Sequence, residues 1–135
     1  MVRTSLENEG WVISHDPYPL TIMGVDYEID LGAEKLFAAE RGSEMIAVEV
    51  KSFLGLSFPY DFHQAIGQYT NYNILLNQKE PTRKLYLAVP DEIYRKQMAV
   101  AAFQFILKQM KLSLIIFDPE KQKITQWINQ QNTTP

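Results

Sequence analysis

The chain has 135 residues, 46% hydrophobic and 21% charged, with a formal net charge of −3 and no cysteine. This suits one ordinary domain, 1–135, and argues against a disordered chain, disulfide staples or thiolate zinc, and DNA binding driven by a basic surplus. No apolar run reaches the roughly 18 residues of a membrane span, and the start MVRTSLENEGW lacks a signal-peptide pattern, so a cytoplasmic protein is expected, with no membrane among its partners.

In chain order, Arg3 to Asn8 reads as a helix closed by Gly10, as though an earlier first turn were missing. WVISH is a short strand and DPYP a turn. TIMGVDYEIDL reads as one strand bent at Gly24. KLFAAERGSEMIAVEVKSF reads as two strands joined at RGSE; in the second, Ile46, Val48 and Val50 share one face, and Ala47, Glu49 and Lys51 the other. GLSFPY is a loop. Asp61 to Asn77 is a helix, since Phe62, Ala65, Ile66, Tyr69 and Leu76 form one stripe with Gln68 and Tyr72 at its edge. KLYLAVP is a strand ended by Pro90, and Asp91 caps a helix running to about Met110. LSLIIF and ITQWI are strands around the turn DPEKQK, and the tail NQQNTTP is expected to fray. This order predicts an α/β (α+β) domain with a mixed central sheet and helices against its faces.

Three pieces are candidates to converge: Asp30, Glu49-Val50-Lys51, and Gln68 with Tyr72. Taken singly each is ordinary. An E-x-K on an amphipathic strand usually faces solvent in cross-strand pairs, an Asp at a strand end usually forms a turn, and Q-x-x-x-Y usually edges a core. Together they suit a hard-cation site. Asp30 and Glu49 supply carboxylates and Val50 its carbonyl to Mg²⁺ or Mn²⁺, while Lys51 orients water or stabilises a pentavalent phosphorus. Gln68 and Tyr72 position the lysine or contact a phosphate or base.

The same series resembles the PD-(D/E)xK nuclease-like superfamily. More closely, GWVISHDP, IDLGAEKLFAAERG, IAVEVKSFLG, AIGQYTNY, LYLAVP, IIFDPE and QWI resemble the fdxN element excision controlling factor XisH family. The resemblance implies a restriction-endonuclease-like fold and a Mg²⁺-dependent endonuclease-like site: Asp30 and Glu49 as metal carboxylates, Lys51 as the catalytic lysine, Gln68 and Tyr72 as the helix motif. It also implies a cyanobacterial role in programmed DNA rearrangement during heterocyst differentiation, beside a companion protein, XisI. The pattern departs at Ile29, where a proline is expected, and at the N-terminus, where Glu7 is the candidate for a further acid.

A tight turn at RGSE sets Glu49 opposite Leu36, so Asp30 reaches the site only through a bend or bulge at Gly32. Otherwise Glu34, pairing near Lys51, is the second carboxylate. His15 reads as a turn residue and His63 as a solvent-facing helix residue. Trp11, Trp127, Tyr86 and Tyr94 read as core or interface. Arg83-Lys84, Arg95-Lys96 and Lys108 to Lys111 read as solvated faces, and as phosphate contacts only if they flank Lys51. A homodimer is the common closed assembly for such a domain.

Overall fold

The computed structural model describes residues 2–27, 30–31 and 34–129, with side chains described for 2–27 and 38–129. The elements are α1 (Val2–Asn8), β1 (Val12–His15), β2 (Leu20–Ile22), β3 (Val25–Tyr27), β4 (Asp30–Leu31), β5 (Glu34–Arg41), β6 (Glu44–Val50), α2 (Phe58–Lys79), β7 (Arg83–Pro90), α3 (Asp91–Ile93), a π-helical turn (Tyr94–Met98), α4 (Ala101–Gln109), β8 (Leu114–Asp118) and β9 (Lys123–Ile128). The main sheet runs β1-β5-β6-β7-β8-β9, and β4 shares the outer edge of β5 with β1. Pairing is parallel for β6–β7 and β7–β8, and antiparallel at both margins. The expected mixed sheet between helices is therefore present.

Both faces of the central strands are covered. Ala47, Leu85, Leu87, Leu114 and Ile116 pack under α2 and α4 with Phe62, Tyr69, Leu76 and Leu107. Ile46, Val48, Tyr86, Ala88 and Ile115 face the other way, against Val2, Leu6 and Trp11. A strand buried on two sides reads as a nearly continuous apolar run, and LYLAVP is one. The two parallel crossovers put α2 and α4 on the same face, as crossovers of one hand do.

Tyr69 fixes α2 over the sheet. Its hydroxyl donates to the Leu85 carbonyl at 3.0 Å and accepts the Ser113 N–H at 3.1 Å, joining the helix to β7 and the start of β8. Tyr69→Phe keeps the ring and strips both bonds from a buried place. It is expected to cost about 2 kcal/mol, read as a lower urea midpoint with an unchanged denaturant slope.

Three expectations are corrected. TIMGVDYEIDL is not one bent strand. Met23 and Gly24 both take positive φ, 50° and 87°, the two-residue turn that matches strand twist. They fold 20–27 into a separate hairpin, β2–β3, and β4 is a third strand. GLSFPY is not all loop: Ser57 caps α2 by accepting the Tyr60 N–H at 3.4 Å, and Pro59 is tolerated in a first turn, where no N–H is needed. Asp91 does not cap one helix to Met110. Pro90 holds the cap position without a side-chain bond, and Asp91 pairs instead with Arg95 at 3.1 Å. Extended backbone at Val100 (ψ 134°) breaks the helix before α4, where the Val100 carbonyl accepts the N–H groups of Phe103 and Gln104. The fraying expected of the tail concerns residues 130–135, outside the described ones.

Candidate metal and phosphate site

Glu49 and Lys51 lie at the C-terminal end of β6. They share the strand face with Ala47, the face that α2 covers. The ordinary reading of E-x-K as a solvated pair does not hold: Glu49 is 1% exposed and Lys51 6%. Lys51 prolongs the parallel ladder, its N–H donating to the Ala88 carbonyl at 3.2 Å, so its Cα is as fixed as the strand.

The lysine ammonium stands 3.9 Å from Glu49 Oε2 and donates to Gln68 Oε1. Residues 17 apart in sequence are thus joined by a direct bond between strand and helix. Tyr72, one helical turn beyond Gln68, is buried, and its ring lies 5.4 Å from that of Tyr27 on β3. Glu49, Lys51 and Gln68 are thus brought together between β6 and α2, with Tyr72 one turn further along the helix.

The loop after Lys51 sets where α2 begins. Phe53 adopts φ 57°, the left-handed region that a bulky side chain rarely takes. Its ring packs 5.6 Å from Phe58, which meets Phe62 and Phe103 at 5.6 and 5.2 Å. The Gly55 N–H donates to Asp61 Oδ2 at 2.9 Å, and a Cβ at Gly55 would strike that carboxylate. Backbone strain held by packing beside a cluster of polar groups is characteristic of functional segments.

The other candidates fall as follows. The predicted register holds: Leu36 pairs with Glu49 and Lys35 with Val50, and Asp30 pairs with Lys35. The Asp30 backbone is thus two strands from Val50, roughly 10 Å. The side chains of Asp30 and Glu34, and Gly32 altogether, lie outside the described residues. Glu7 is not brought to Glu49. It is exposed on α1, which covers the opposite face, and sits 3.8 Å from Arg3. His63 is exposed, and His15 ends β1 rather than lying in a turn. Trp11 stacks on Trp127 at 5.8 Å and Tyr86 meets Trp127 edge-on at 5.1 Å, which bears out their reading as packing residues.

Among the described residues no three His, Cys, Asp or Glu side chains gather as a metal set. The donor chemistry nevertheless fits a hard divalent ion in kind: a buried carboxylate at Glu49, a neighbouring main-chain carbonyl at Val50, and a strand beginning at Asp30 in the adjoining register.

A second polar centre lies at the opposite end of the sheet, where solvated cations are expected from the sequence. Arg83 is not a solvated cation: it is 3% exposed. It pairs with Glu80 at 2.9 Å, donates to the Ile46 carbonyl at 3.0 Å and approaches Glu40 at 3.5 Å. The Tyr18 hydroxyl donates to the other Glu80 oxygen at 2.5 Å. Burial alone raises the Glu80 pKa, but the bonds from Tyr18 and Arg83 and the charges of Arg83 and Lys79 outweigh it and hold the carboxyl below its ordinary 4.5. Stability from a lowered carboxylate is fully present above 4.5 and is lost as pH falls through the folded value. Glu80→Gln is thus expected to be less stable than the parent at pH 7, with the gap closing below pH 4.5, as urea midpoints across that range report.

Comparison with known proteins gives a consistent set. The family model described as XisH protein matches residues 1–125. No curated protein matches. Two crystal structures are similar to this chain: an XisH family protein from Nostoc punctiforme PCC 73102 and an fdxN element excision controlling factor protein from Anabaena variabilis. Each is 40% identical, with a TM-score of 0.87 and 95% of both chains covered.

Proposed function

The chain belongs to the XisH family, and from that premise we propose that it serves programmed excision of a DNA element through a nuclease-like site at Glu49, Lys51 and Gln68. The observation that carries this reading is the bond between Lys51 and Gln68 beside a buried Glu49. A buried carboxylate and ammonium are costly to keep, and a few polar groups converging in an apolar setting mark a binding site.

In this reading Glu49, the Val50 carbonyl and Asp30 or Glu34 hold Mg²⁺ or Mn²⁺. When bound, such an ion acidifies a ligated water and offsets charge on a phosphate. The chain's own part is positional. Gln68 holds the Lys51 ammonium in one place, so that it faces the phosphoryl oxygens as negative charge builds on them. Tyr72, one turn along α2 from Gln68, packs its ring against that of Tyr27 at 5.4 Å.

Calorimetric titration with Mn²⁺ tests the site. The parent is expected to give one saturable heat and Glu49→Gln none; a silent parent, or an unchanged variant, would sink the metal reading.

A second reading, a non-enzymatic factor acting through an XisI-like companion, draws on charge. The net charge is −3, and Arg95 and Lys96 are tied to Asp91 and Glu92 at 3.1 and 3.0 Å. Retention of the companion by Glu49→Ala, with plasmid DNA left uncut by the parent, would favour it.

A further inference from the structure

The outward face of α2 carries no charge. Only Asp61 and Lys79 of its 22 residues are charged, and both are turned to their own chain, Asp61 to the Gly55 N–H and Lys79 to the Pro19 carbonyl. The buried stripe of Phe62, Ala65, Tyr69 and Leu76 marks the side toward the sheet. Opposite it, within about 50° of the outward direction, fall Tyr60, Gln64, Gly67, Asn71, Ile74 and Gln78, all exposed. Tyr60 and Ile74 are 66% and 60% exposed. The solvent side of a surface helix is ordinarily charged or polar. A face that presents tyrosine and isoleucine, with no charge along the whole helix, has the composition of the centre of a protein–protein interface.

Gly67 stands in the middle of that face. Glycine weakens a helix interior, and nothing in the chain accounts for it here: a Cβ at Gly67 would meet no atom within 4 Å. What glycine permits at such a place is close approach by another backbone, and no part of this chain makes that approach.

About this glycine the face is self-complementary. Tyr60 and Ile74 lie seven residues to either side, and His63 and Asn71 four to either side. When two copies of α2 cross antiparallel at Gly67, residues equally far on opposite sides meet. Tyr60 then faces Ile74 of the partner subunit, and His63 faces Asn71 of the partner subunit, apolar on apolar and polar on polar. A two-fold pair makes each such contact twice. A spacing of seven keeps the contacts on one seam at the crossing of about 20° common for paired helices. Antiparallel helices also set the positive end of each dipole beside the negative end of the other.

The surface is large enough. α4 lies beside the N-terminal half of α2, with Phe103 against Phe58 and Phe62 at 5.2 and 4.7 Å. Phe105, 64% exposed, is about 200° round α4 from Phe103 and widens the same outer surface. From the length and width of the two helices, each copy offers roughly 550 Å². A pair thus covers about 1,100 Å², above the ~1,000 Å² of a specific interface.

We propose that two copies of the chain pair through this face of α2, antiparallel about a two-fold axis at Gly67. Glu49 and Lys51 lie on the other side of the helix, between it and β6, so the pairing leaves them untouched and does not rest on the metal reading.

Sedimentation equilibrium of the full chain tests this at about 100 μM, above the micromolar Kd of a modest interface. A mass of twice 15.6 kDa is expected. Gly67→Glu sets two carboxylates face to face on the axis and is expected to weaken pairing about a hundredfold or more. Its side chain enters open space, so the helix signal in circular dichroism is expected to stay that of the parent. The chain has no cysteine, which allows the orientation to be read separately. Under mild oxidation, Tyr60→Cys mixed with Ile74→Cys is expected to give a disulfide-linked pair, and either variant alone none. The proposal is overturned if the parent stays at 15.6 kDa, if Gly67→Glu pairs as tightly as the parent, or if Tyr60→Cys links to itself as readily as to Ile74→Cys.

Discussion

Lys51→Met is expected to abolish metal-dependent cleavage of plasmid DNA and to destabilise the fold at the same time. The ammonium sits 3.9 Å from a carboxylate that is 1% exposed. Methionine keeps the length and apolar stem of the lysine but leaves Glu49 with its positive neighbour gone. Removing one member of a buried ion pair costs about 3–5 kcal/mol. Removing a single electrostatic stabiliser of a transition state costs about 10²–10³-fold in rate. These two losses are separable. In Glu49→Gln/Lys51→Met the uncompensated charge is gone, so most of the stability is expected to return while cleavage does not. A double-mutant cycle in urea, run beside a plasmid-nicking assay with Mn²⁺, measures both. If Lys51→Met cuts as well as the parent, the lysine has no catalytic part. If neither cuts, the enzymatic reading fails.

Arg83→Met is expected to be the most damaging change outside that site. The guanidinium joins the turn after α2, through Glu80, to the Ile46 carbonyl on β6 and to Glu40 on β5, and it lies over the Tyr18 ring at 5.3 Å. Without it a buried carbonyl loses its donor, and Glu80 keeps only Tyr18 among those partners. A loss of about 3 kcal/mol follows, which for a domain of this size lowers the melting temperature by roughly 10 °C. Calorimetry of the purified variant checks it. A shift within a degree or two of the parent would show the network to be dispensable. Arg83→Lys is expected to rescue little, because one ammonium cannot reproduce a forked set of contacts.

Much of the fold was readable from periodicity. Strands β6 and β7 and helix α2 stand out because their apolar spacing is unambiguous. A tight turn at RGSE implies the pairing of Leu36 with Glu49 that the sheet shows. What escaped were choices made by tertiary contacts. Nothing local says that Met23 would accept positive φ, or that Val100 would be pulled straight between Met98, wholly buried, and α4. The site was legible as a set of residue types in order, but its burial was not, because E-x-K on a strand looks the same whether or not a helix lies over it. A signal did exist: β7 is apolar on both faces, so its parallel neighbour β6 had to be covered on both faces too. Arg83 was misjudged for the same reason, since a charge beside a turn gives no local sign of being enclosed.

The covering of β6 by α1 on one side and α2 on the other has a steric corollary for traffic. In the nuclease reading, with both faces of β6 roofed, a phosphodiester would approach the lysine end-on along the strand axis, on the side of the left-handed turn at Phe53. In that reading the exposed Leu54 and Leu56 border the approach to the site.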